Sequence, residues 1–272
     1  MSVPQTPVHG FKLGKLEPVA SGVDEFKAYF PETIPAPPPQ AHYGGLVTAP
    51  WLMLANGPDS TVTLAGTPPG WGGCGDCVVA GMGHYDLMSN YDDHGATEPT
   101  VNANEAVTTY CRLANCTPEE LFTDPNTYDT GLNIGTSLQT WHKPGLFGSK
   151  IAFEADVNYQ NMNDVKNALY LCGGVIIGIQ VPESAEEQFP GTWTYVPGSP
   201  ILGGHCFTLS GYNSAEKMFW GETWGTLIGI TEEFLLNYMD EVHAVVSGQA
   251  VKAGKSPTGL LIPKWEADLK TL

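Results

Sequence analysis

Arginine is almost missing from this chain. Arg112 is the only one, and Lys and Arg together number 12 against 29 Asp and Glu, a formal net charge of −17. A phosphate backbone would be repelled by such a surface, so no nucleic-acid partner is expected. The acidic excess is spread along the sequence and reads first as a source of solubility. The alternative, a preference for cationic substrates, has no localised acidic block behind it. Long apolar runs are also lacking. No stretch of about 18 apolar residues exists, so neither a transmembrane helix nor a membrane partner is expected. The opening residues, MSVPQTPVHGFKLGKLEPV, lack the basic start and apolar run of a secretory signal. The expected location is the cytoplasm of the producing cell, or a particle that leaves it by assembly or lysis.

What is present is enough for a sizeable core. The chain has 272 residues, 42% of them hydrophobic, with aromatic residues throughout. Residues 1–45 read as an extended arm, because Pro31-Glu-Thr-Ile-Pro-Ala-Pro-Pro-Pro39 favours polyproline geometry. Residues 46–272 read as one domain. Leu46 to Leu54 is apolar, and Thr61 to Leu64 alternates like a short strand in a Gly/Pro-rich stretch, as an inserted hairpin would. From Cys77 onward Val78, Val79, Met82, Tyr85, Met88 and Tyr91 recur at helical spacing. Further helices are expected through Leu113, after Thr117-Pro118, over Ile134–Trp141, from Asn163 to about Leu171, and over Thr231–Met239. Strands are expected at Gly174–Val181, His205–Tyr212, Lys217–Thr223 and Val242–Ser247. Helices lead and strands follow, which predicts an α+β fold: a helical lobe against an antiparallel sheet or barrel, with a cleft between them.

There are six cysteines. Cys74, Cys77, Cys111 and Cys116 contain enough thiols for zinc in principle, but the second pair has four intervening residues and sits in a helical pattern, so no metal is expected. Cys172 and Cys206 border apolar runs and read as buried thiols.

Cys77 has a different setting. It follows the glycine-rich turn Gly72-Gly73-Cys74-Gly75-Asp76 and begins a helix, where free N–H groups and the helix dipole favour a thiolate. His205 follows Gly203-Gly204 and opens an apolar strand, which lets an imidazole reach a cleft from a fixed backbone. Phe219-Trp-Gly-Glu222-Thr-Trp224-Gly225 places a carboxylate between two Trp-Gly pairs, and indoles can shield a His–carboxylate hydrogen bond from water. His205 lies 128 residues after Cys77 and Glu222 lies 145 after it, close to the Cys, His and Asn spacing of papain and cathepsins.

Those segments resemble the papain-like cysteine peptidase superfamily. Cys74-Gly-Asp-Cys77 resembles its Cys-Gly-Ser-Cys segment, Gly204-His205 its histidine segment, and Glu222-Thr-Trp224-Gly225 its Asn-Ser-Trp-Gly segment. Gly131-Leu-Asn-Ile-Gly135 resembles its mid-chain glycine motif. A narrower likeness, to papain-like proteins of bacteriophages and mobile elements, rests on Leu13-Gly-Lys-Leu16, the proline arm and Gly-Asp-Cys. The resemblance implies a two-lobed papain-like fold and a Cys-His-Glu triad that cleaves a peptide or isopeptide bond through a thioester, without metal or organic cofactor. Cys77 is then the nucleophile, His205 the base and Glu222 the group that orients it. Asp76, Gly204 and Trp224 fall beside these positions as substrate-binding residues. The family's oxyanion amide would sit at Trp71, and Asn56 is the alternative donor. The implied partner is a peptide or protein substrate. Two other readings stay open: a virion structural protein with the same fold, tethered to phage proteins through its arm, and an acyltransferase using the same triad.

Overall fold

The computed structural model describes residues 13–18, 74–94, 101 and 103–254. Asn56, Trp71, the proline stretch and the expected 61–64 hairpin strand lie outside the described residues. In chain order the helices are α1 (Cys77–His94), α2 (Ala103–Ala114), α3 (Pro118–Thr123), α4 (Pro125–Tyr128) and α5 (Ile134–His142). Then follow β1 (Ile151–Asp156), α6 (Met162–Cys172), β2 (Val175–Pro182), α7 (Glu183–Gln188), β3 (Ile201–Asn213) and β4 (Met218–Thr223). The described part ends with β5 (Thr226–Thr231), α8 (Glu232–Tyr238), β6 (Met239–Ser247) and α9 (Gly248–Ala253). Helices lead and strands dominate the second half, so the expected α+β fold is present.

Local sequence explains several boundaries. Thr117 caps α3 in a reciprocal capping box with Glu120, and Pro118 fills the first turn, where no N–H is needed. Thr231 caps α8 by accepting from Phe234 N–H. The cap of α6 is Asn161, two residues before the Asn163 expected from sequence. Gly173 ends that helix in the left-handed conformation at φ 74°.

The six strands form one sheet in the order β1-β6-β2-β3-β4-β5, and every neighbour pair is antiparallel. Its two faces enter two different cores. Val175, Ile177, Ile179, Phe207, Leu209 and Val246 pack with α6, α8 and Trp193 on one face. Ile176, Cys206 and Val245 turn to the other face and meet Met82, Tyr85, Leu138 and Trp141 of the helical lobe. This is the period-two alternation of strands acting on a sheet covered on both sides. Among the described residues, no helix is long and apolar enough to cross a membrane.

α1 is the main contact between helical lobe and sheet. Gly81 approaches β3 so closely that an added Cβ would stand 3.2 Å from Cys206 Sγ and 3.3 Å from Phe207 Cα. Thr208 Oγ1 donates to the Gly81 carbonyl at 2.7 Å. Tyr85 donates its hydroxyl to the carbonyls of Cys172 and Val245. The helix that starts at Cys77 is thereby fixed against the strand that carries His205.

Candidate active site

Cys77 stands at the first position of α1 and is buried, as are Cys74 and Asp76. The Asp76 carbonyl accepts from Ala80 N–H at 2.9 Å and so closes the first helical turn. The glycine turn before the cysteine is held from outside. Gly75 N–H donates to both carboxylate oxygens of Asp129, at 3.0 and 3.1 Å. Tyr110 donates its hydroxyl to Asp129 at 2.7 Å and accepts from Gly131 N–H at 3.0 Å. Burial, together with the neighbouring Asp129 carboxylate, pushes the Tyr110 phenol far above its ordinary pKa, so it stays a donor. One phenol and one carboxylate thus tie the turn before Cys77 to the mid-chain glycine motif. Neither was singled out in the sequence, because both partners are distant in the chain.

His205 is 2% exposed on β3. Its ring stacks on Trp224, with centroids 4.8 Å apart and planes at 27°. Trp224 reaches that place from the turn between β4 and β5, with φ at 46° and Gly225 following at 72°. Nε2 of His205 lies 2.6 Å from Thr223 Oγ1, and Nδ1 is buried without a hydrogen-bond partner. Burial lowers the imidazole pKa to about 3, so the ring is neutral in this state.

The carboxylate expected beside His205 stands elsewhere. Glu222 is buried, with Oε2 3.4 Å from Nδ1 of His84 on α1. Strand alternation is the reason. Thr223 and Glu222 are neighbours on β4, so their side chains leave opposite faces. Glu222 pairs in register with Thr208, whose side chain also turns to α1. Burial lowers His84 to about 4, so its ring too is neutral.

Gly204 lies inside β3, which begins at Ile201, four residues earlier than the glycine pair suggests. Its carbonyl accepts from Lys15 N–H at 3.2 Å. Residues 13–16 cross the structure here. Leu132 N–H donates to the Gly14 carbonyl at 2.7 Å, and Leu16 N–H donates to the Leu132 carbonyl at 2.9 Å. Residues 14–16 are therefore clamped between the glycine motif of the helical lobe and the strand that carries His205.

All six cysteines are thiols. Burial, followed by the charge of Cys116, raises Cys111 to about 12, and burial alone raises Cys172 to about 12. Cys206 is pushed well up, first by burial and then by the nearby Cys77. Among the described residues, no group of three or more His, Cys, Asp and Glu side chains is placed to hold a metal ion.

A two-lobed α+β structure with a cysteine at the start of the central helix and a histidine on the facing sheet defines the papain-like fold. Solved structures of that class superpose on the chain. Xylellain, a cysteine protease from Xylella fastidiosa, matches with a TM-score of 0.60 at 12% identity, over 91% of this chain and 99% of that one. Procathepsin B S9 from Trypanosoma congolense matches with a TM-score of 0.54 at 10% identity, over 87% of this chain and 86% of that one. Neither a family model nor a curated protein sequence matches the chain.

Proposed function

We propose that this chain is a cysteine peptidase in which Cys77 attacks the carbonyl of a peptide or protein substrate and His205 carries the proton. The observation that supports it most is the state of the His205 ring. Nε2 lies 2.6 Å from Thr223 Oγ1, and Nδ1 is buried without a hydrogen bond. In the tautomer that donates from Nε2 to Thr223, Nδ1 keeps the lone pair that a general base uses. Thr223 takes the orienting role expected of Glu222, and Trp224 covers the ring. Glu222 acts at one remove, through its place against His84 on the helix that Cys77 begins.

In the proposed reaction Nδ1 accepts the Cys77 proton as sulfur bonds to the carbonyl carbon. The oxyanion is stabilised by first-turn amides of α1 and by the side chain that Asn56 or Trp71 supplies. The imidazolium then protonates the leaving amine, and a thioester remains. A water molecule, deprotonated by the same nitrogen, hydrolyses it to acid and free thiol.

The test is mass spectrometry of rapidly quenched mixtures with a peptide ester. A thioester adduct on Cys77 is expected with the native chain. It should be absent in Cys77→Ala and formed at least about a hundredfold more slowly in His205→Ala, in line with the usual contribution of a general base. Turnover that persists in Cys77→Ala would overturn the reading.

A further inference from the structure

Cys111 and Cys116 stand five positions apart, a spacing that a continuous helix would place about 140° apart around its axis. The fold brings them together instead. α2 ends at Ala114, and Asn115 follows in the left-handed conformation at φ 58°. That residue reverses the chain, so that Cys116 N–H donates to the Cys111 carbonyl at 2.9 Å. This is the six-to-one bond of a Schellman cap, with the two cysteines at its two ends, the positions whose side chains commonly meet. Here the two thiols share a hydrogen bond. The backbone bond also bounds their separation. Bond lengths and the 2.9 Å contact keep the two Cα atoms within about 7 Å of each other, and a disulfide spans about 4.4–6.8 Å.

The two sulfurs are unequal. Cys111 is 1% exposed in the core of the helical lobe, whereas Cys116 is half-buried and packs against that core from its margin. Burial raises the Cys116 thiol, but the hydrogen bond with Cys111 lowers it. Cys116 is therefore the thiol that a reagent in solution reaches and the one that ionises first, with Cys111 held beside it. Both thiols also feel the charge of Asp129, the carboxylate that holds Gly75 N–H. The pair thus belongs to the same corner of the molecule as the turn before Cys77.

We propose that Cys111 and Cys116 form a reversible dithiol–disulfide site that reacts with low-molecular-weight disulfides of the glutathione class. The Cys116 thiolate attacks one sulfur of the reagent. The reagent's S–S bond breaks, a mixed disulfide forms on Cys116, and the departing thiolate takes a proton from water. Cys111 then attacks Cys116 Sγ as its proton passes to the second departing sulfur. Two protein thiols and one small disulfide become one protein disulfide and two small thiols, with no other oxidant. The bond fastens the end of α2 to the residue before Thr117, the cap of α3, and leaves Cys77 out of the exchange. The proposal is independent of the peptidase reading.

The experiment equilibrates the full chain with graded ratios of oxidised to reduced glutathione. The chain carries Cys77→Ala, so that the candidate nucleophile takes no part. Samples are quenched in acid, blocked with N-ethylmaleimide and digested. Cleavage after Glu105, Arg112 and Glu119 gives two fragments, one with each cysteine, that stay joined only through the disulfide. The joined pair should form in the folded chain at an oxidised-to-reduced ratio at least about tenfold lower than in the same chain in urea, because folding holds the sulfurs in contact. Dithiothreitol should return both to thiols. Cys111→Ser should accumulate the glutathione adduct on Cys116, and Cys116→Ser should acquire one on Cys111 at least about tenfold more slowly. A joined pair that forms no more readily in the folded chain than in urea overturns the proposal and leaves the contact as packing alone. A folded chain that stops at the Cys116 mixed disulfide overturns it too. If either serine variant fails to fold, the comparison of folded chain and urea decides by itself.

Discussion

Thr223 reaches His205 because β4 turns that face to the ring, and this one hydroxyl is the most direct handle on the base. Thr223→Val keeps the shape and leaves a buried ring nitrogen without its partner, a loss of about 1–3 kcal/mol. Acylation should fall between about fivefold and a hundredfold, while Thr223→Ser should stay near the native rate. Single-turnover kinetics on the two variants check this, and an unchanged valine variant would remove Thr223 from the site. Glu222→Gln should affect acylation less than Thr223→Val does. Residues of this kind show how far the sequence could be read. That Cys77 begins a helix and that His205 lies in a strand was legible, because each follows glycine at or near a regular element. The choice between Glu222 and Thr223 was not, since adjacent strand residues differ only in which face they take, and the register with β3 decides that. The burial of Lys15 was illegible for another reason: its carboxylate partners, Asp240 and Glu241, lie 225 and 226 residues further along the chain.

Among the elements, α1 through β6 follow the expected order, but two strands escaped notice. β1, Ile-Ala-Phe-Glu-Ala-Asp, buries Phe153, Glu154 and Ala155 in succession, so it lacks the alternation that marks a strand. β5, Thr-Leu-Ile-Gly-Ile-Thr, is interrupted by Gly229, where an added Cβ would stand 2.7 Å from Met218 Sδ. β3 was expected to start at His205, because glycine pairs usually mark turns. Here Gly203 and Gly204 pair with Val181 and Gln180 inside the strand and leave space for the arm. The same close packing predicts a sensitive position on β4. A Cβ at Gly221 would stand 2.7 Å from Phe207 and 2.8 Å from Ile230. Gly221→Ala should cost about 1–3 kcal/mol from overpacking. Tyr110→Phe should cost about as much, because Asp129 and Gly131 N–H both lose a partner. Urea unfolding midpoints read both, and a midpoint shift within error for either would show that its contact is dispensable.

At the scale of the whole molecule, three buried histidines couple stability to pH with opposite signs. Burial holds His84 at about 4 and His205 at about 3, below the ordinary 6.5. The unfolded chain takes these protons first, so stability is fully present above about pH 6.5 and falls as the pH drops toward 3. Burial alone would lower His243 as well, but Asp156 and Glu241 raise it to about 9. Its contribution is fully present below pH 6.5 and is lost as the pH rises through 9. His84→Leu should therefore flatten the acid limb by up to roughly one proton, and His243→Leu should flatten the alkaline limb, as read from unfolding free energies between pH 4 and 10. Identical slopes in the native and variant chains would refute the assignment. The chain as a whole presents a neutral, covered His205, and Cys111, Cys116, Cys172 and Cys206 are all held as thiols by burial. The most direct test of Cys77 as the nucleophile is competitive alkylation. The folded chain is treated with limiting iodoacetamide at about pH 6, below the thiol reference value, and the adducts are mapped by mass spectrometry. Cys77 should be modified at least about tenfold faster than the half-buried Cys116, and His205→Ala should abolish the difference. Modification of Cys77 no faster than Cys116 would contradict that role.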